Sequence, residues 1–182
     1  MSGGALWSLT PLGIQLSQQK FKTPDVFWKL FPSAPLLLII GLAGLYFLLS
    51  DRCGRLGKAG FFVTLAGLLL TIFGDVGQFW LGLDDTYMVT APAYRSFRIG
   101  LLVLAVGSIV LGGATLRKGA LPRWSALPFA AGSVGLLVAV TRDLGDVGAA
   151  LWIAYGICWI WLGMAILLQA LLSAWRKEPE GR

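Results

Sequence analysis

Long apolar runs separated by short charged turns lay out this chain. The apolar stretches occupy residues 35–50, 59–83, 99–116, 125–141 and 147–175. A run near 20 residues reads as a helix crossing the ~30 Å hydrocarbon core of a bilayer. The pattern therefore predicts an all-α membrane protein with five transmembrane helices in one bundle. The first run is short for a span, and the last is long enough that it must tilt or project. Residues 1–34 are expected to form an N-terminal interfacial segment. Within it, the stretch from Leu6 to Leu16 is interrupted, and its lysines follow rather than precede it, so it lacks the pattern of a cleavable signal. Thr23-Pro24-Asp25 offers a capping hydroxyl, a proline at the first helical position and an acid, and so starts a short aromatic helix through Phe31 that lies at the interface. Pro32 and Pro35 turn the chain into the bundle, residues 35–175, and residues 176–182 form a charged tail.

Composition supports this layout. Hydrophobic residues make up 57% of the chain and charged residues 13%, about half the share of a soluble domain, too little to cover a globular surface. The formal charge of +6 lies in turns between apolar runs, which is the signature of membrane topology and not of nucleic-acid binding. With five spans the termini fall on opposite sides. One side then carries nine basic residues (Arg52, Arg55, Lys58, Arg117, Lys118, Arg123, Arg176, Lys177, Arg182) and the other six (Lys20, Lys22, Lys29, Arg95, Arg98, Arg142), which favours N-outside and C-inside. There is no histidine, which removes imidazole ligation and histidine proton relays. The two cysteines, Cys53 and Cys158, lack metal-type spacing. No cofactor and no metal site is expected.

Asp75 is the one ionisable residue well inside an apolar run, and an intramembrane carboxylate is a functional candidate by default. Counted from Ala59 at 1.5 Å per residue, it lies ~24 Å into the core, near the outer boundary. There it could join Arg95, Arg98, Arg142 and Asp146 in a polar cluster, either as a structural ion pair or as a proton- or cation-responsive site. Asp146, after Gly145, opens the last helix, where a carboxylate caps orphan N–H groups. Gly41, Gly44, Gly67, Gly107, Gly132, Gly135, Gly156 and Gly163 read as helix-packing contacts. Trp152, Tyr155 and Trp159 share one face and read as an aromatic stripe that packs against a neighbouring subunit, or flanks a lipid-like molecule. A weak internal repeat aligns Gly74-Asp75-Val76-Gly77 with Gly145-Asp146-Val147-Gly148.

Two turns carry a likeness. Gly54-Arg55-Leu56-Gly57-Lys58-Ala59-Gly60-Phe61 and Leu116-Arg117-Lys118-Gly119-Ala120-Leu121-Pro122-Arg123-Trp124 resemble the GRLGxxGF and LPRW turns of a loose group of small multi-pass integral membrane proteins from high-GC bacteria. The resemblance covers roughly residues 42–135, implies a bacterial inner-membrane location with both turns cytoplasmic, and transfers no catalytic residue. No phosphate loop or serine elbow is present, and both glutamates lie in the tail. With no catalytic residue identified, the sequence points to a non-enzymatic accessory or scaffold subunit acting through helix–helix contacts. Its partners would be the bilayer and either further copies of itself or another membrane protein. The alternative is a small oligomeric transporter or channel with Asp75 as its charged site.

Overall fold

The computed structural model describes residues 1–20, 25–49, 54–83, 91–118, 126–140 and 146–175. Among these, seven α-helices and no strand occur: α1 (Ser2–Lys20), α2 (Asp25–Leu30), α3 (Ser33–Leu49), α4 (Gly54–Phe79), α5 (Pro92–Lys118), α6 (Leu127–Val140) and α7 (Asp146–Trp175). The all-α class stands, but the number of spans does not. Among the described residues three helices are long and apolar enough to cross a membrane, in Gly54–Phe79, Pro92–Arg117 and Val147–Leu168, and not the five expected. With 17 and 14 residues, α3 and α6 are too short. At 1.5 Å per residue they reach ~26 and ~21 Å against a core of ~30 Å.

The larger departure is α1. Residues 2–20, expected only as part of an interfacial segment, form a 19-residue helix despite Pro11. Pro11 lacks an N–H and leaves a carbonyl in the preceding turn unpaired, a defect that one helix tolerates where tertiary packing holds it. That packing is close. A Cβ on Gly4 would stand 2.6 Å from the Gly156 carbonyl, and one on Gly163 would stand 2.8 Å from the Met1 nitrogen. Ser8 Oγ donates to the Ile153 carbonyl at 3.1 Å. The residue pairs descend along α7 as they ascend along α1, so the two helices are antiparallel. The start of α1 therefore lies beside Gly163, in the second half of α7.

The helices close into a ring: α4 packs on α5, α5 on α6, α6 on α7, α7 on α1, α1 on α3 and α3 on α4. The tightest seam is α4 against α5. Gly60 meets Leu111, Thr64 meets Gly107, Gly67 meets Leu104, Thr71 meets Gly100 and Gly74 meets Phe97. Spacings alternate four and three along both helices, the heptad rhythm of an antiparallel coil. Small residues at these positions let the backbones touch, which drives association in lipid, where apolar burial alone supplies none. Thr64 and Thr71 keep this seam dry by turning their hydroxyls onto the Gly60 and Gly67 carbonyls, at 2.7 and 2.8 Å.

The short interfacial helix expected after Thr23 corresponds to α2, and it is tethered to the end of α4. The indole N–H of Trp80, just past α4, donates to the Lys29 carbonyl at 3.0 Å. Trp80→Phe removes this donor and keeps the ring. An exposed bond of this kind contributes about 1 kcal/mol, so the variant is expected to hold its global stability. Amide hydrogen exchange should instead rise in α2 alone; unchanged exchange there would show that the tether is not what orders α2.

Candidate functional site

Asp75 occupies the next-to-last turn of α4, four residues before Phe79. Its position follows from the seam beneath it. The sequence Gly60, Thr64, Gly67, Thr71, Gly74 and Gln78 forms the small, polar stripe that faces α5, and Asp75 sits directly beside that stripe. Gly74 brings the α5 backbone so close that its Cβ would stand 2.7 Å from the Ala93 carbonyl. Asp75 is thereby carried into the interior: it has 0% of its surface exposed.

Neither carboxylate oxygen has a hydrogen-bond partner among the described residues. Two hydroxyls on these helices are committed elsewhere. Thr71 Oγ1 donates to the Gly67 carbonyl, and Ser96 Oγ donates to the Pro92 carbonyl at 3.0 Å. The guanidinium of Arg98 reaches across to α6, donating to the Ala139 carbonyl at 3.4 Å. Arg95 points outward and is exposed. Both arginines stand in the first turns of α5, which begins at Pro92, well before the expected start at residue 99. Pro92 suits a first helical position because its missing N–H would have no partner there. Arg142 lies outside the described residues. Asp146 opens α7 as expected, and nothing describes its side chain. Of the five residues expected to cluster, none of the described ones pairs with Asp75.

The repeat that matched Asp75 to Asp146 places its two copies differently. Gly74-Asp75-Val76-Gly77 lies near the end of α4, whereas Asp146-Val147-Gly148 starts α7.

The aromatic stripe of α7 does not face outward. Tyr155 and Trp159 are 2% and 5% exposed. Trp159 meets Tyr155, and Tyr155 with Trp152 packs on a residue that hydropathy does not single out, Trp7 of α1, which is 0% exposed. The Trp7 ring stacks on Trp152 at 5.5 Å and meets Tyr155 edge-on at 5.1 Å and Phe31 at 4.8 Å. Phe31 and Trp152 in turn contact Phe97, which lies on Gly74. An aromatic core thus runs from α1 and α7 to the backbone beside Asp75. The expected packing glycines divide as well. Gly67, Gly107, Gly132, Gly135, Gly156 and Gly163 all lie within the bundle's own seams, while Gly41 and Gly44 of α3 have nothing within 4 Å.

No protein-family model matches the chain, and neither a curated protein nor a solved structure shows significant similarity to it.

Proposed function

We propose that this integral membrane protein is a small transporter or channel, active as an oligomer, in which Asp75 is the charged site. The observation that carries this reading is a wholly buried carboxylate without a hydrogen-bond partner among the described residues. Burying a polar group unpaired costs roughly 1–3 kcal/mol, and more for a charged one. No described residue bonds to Asp75 to offset this cost. A group that weakens the structure and lies next to its tightest seam is explained by what it binds. The accessory-subunit reading loses much of its motive, because the glycines and aromatic stripe that suggested outward contacts are used inside the bundle. It keeps one observation: the face of α3 bearing Gly41 and Gly44 is open, with Ile40 69% and Phe47 81% exposed.

Reconstituted vesicles separate the two. Wild type is expected to carry cation or proton flux above that of protein-free vesicles. Asp75→Asn should lose it while eluting and showing helical circular dichroism as wild type does. Equal flux from both proteins would remove Asp75 from the function. Absence of flux in wild type, with a membrane protein co-purifying in mild detergent, would instead support the accessory reading.

A further inference from the structure

Resting on the reading of Asp75 as the charged site, we infer that the ion it takes is a proton and not a metal cation. A hard cation needs about six or more oxygen ligands, supplied by carboxylates, carbonyls and water. Asp75 brings a single carboxylate, and no group of three or more His, Cys, Asp or Glu side chains occurs among the described residues. Among the described residues, the acidic residue on an element packed against α4 is Asp25, which opens α2, the helix that also carries Lys29; with Asp75 it makes two carboxylates, short of a cation cage. At the end of α5 nearest Asp75 the charged groups are Arg95 and Arg98, beside Tyr94; α3 carries none, and its Tyr46 lies at the other end of α4, with its ring 4.4 Å from that of Phe61. The hydroxyls of Thr71 and Ser96 are directed to backbone carbonyls.

A proton asks for much less. It binds one oxygen, needs no cage, and fits a group whose atoms have almost no accessible surface. The step balances simply. A proton from the aqueous phase adds to one carboxylate oxygen, giving the neutral acid, and departs by the reverse; no electron moves and no other bond breaks. Asp75 lies four residues before the end of α4, ~6 Å along the helix axis, and the exposed residues Trp80 and Leu81 follow. Neutralisation also removes the cost of a buried charge without requiring a partner.

The test uses the full chain in vesicles, with two readouts. Infrared difference spectra between acid and alkaline buffer should show a carboxylic-acid carbonyl band in wild type that is missing in Asp75→Asn. That band should be unchanged when sodium, potassium, magnesium or calcium is exchanged at fixed pH. A pH gradient should drive proton uptake by wild type, falling to the leak of protein-free vesicles in Asp75→Asn and recovering in Asp75→Glu. If Asp75→Asn folds poorly, the band and the cation exchange in wild type alone decide. Flux of a metal cation that Asp75→Asn abolishes, or a band that shifts with the metal at fixed pH, would overturn the proton assignment while keeping Asp75 as the site. Equal behaviour of wild type and Asp75→Asn in every flux and spectrum would overturn both.

Discussion

Trp7→Ala is expected to destabilise the bundle by about 3–5 kcal/mol, the range for removing a large aromatic side chain from a packed core. Trp7 has no exposed surface, and its ring touches Phe31, Trp152 and Tyr155. Each aromatic pair adds roughly 0.5–1.5 kcal/mol beyond the area it covers. The loss also falls at the joint where α1 closes the ring between α3 and α7, so truncation should loosen both seams together. Measured by titration with a denaturing detergent, the unfolding midpoint should fall well below that of wild type, and protease should gain access to α1 first. A segment merely resting at the membrane surface would behave differently: there Trp7→Ala would leave the midpoint unchanged and alter only the affinity for lipid.

That contrast marks where the sequence was legible. Apolar runs bounded by charge locate five helices, because exclusion of charge from lipid is written residue by residue. The starts of α2 and α7 were legible for a similar reason: Thr23-Pro24-Asp25 and Asp146 are local capping signals. The role of α1 was not, because it is held by close packing of Gly4 on Gly156 and of Trp7 on Trp152 and Tyr155 of α7. Such contacts join residues more than 140 positions apart, and neither hydropathy nor caps record them.

The site was legible in identity and not in surroundings. Asp75 stands out in any hydropathy scan, but a depth count along one helix cannot say that Arg98 turns to the Ala139 carbonyl or that Arg95 faces outward. What could have been found was the seam. Gly60, Thr64, Gly67, Thr71, Gly74 and Gln78 recur at four and three, so Asp75 is one position away from a stripe that had to face another helix. A carboxylate beside such a stripe is drawn inward with it.

The seam itself makes the sharpest demand on side-chain size. A Cβ on Gly67 would fall within the Leu104 backbone, and a flexible side chain cannot move aside because the obstacle is main chain. Overpacking a core costs about 1–3 kcal/mol and occasionally more. Gly67→Leu, which adds a whole side chain at a backbone contact, should cost about 3 kcal/mol or more, through separation of α4 from α5. Gly41→Leu makes the same chemical change on a helix of similar character, at a glycine with nothing within 4 Å. Its expected cost is within about 0.5 kcal/mol, as for surface substitutions away from special features. Unfolding midpoints of the two variants in the same detergent provide the comparison. Similar losses would mean that helix propensity or insertion is being measured and that α4 and α5 do not touch at Gly67. A large loss confined to Gly67→Leu has a consequence for Asp75. Because Gly74 belongs to the same seam, seven residues further along α4, any widening at Gly67 would be transmitted toward Phe97 and admit water to the carboxylate. Gly67→Leu that still inserts should therefore leak protons more than wild type, coupling the packing of the seam to the chemistry at its end.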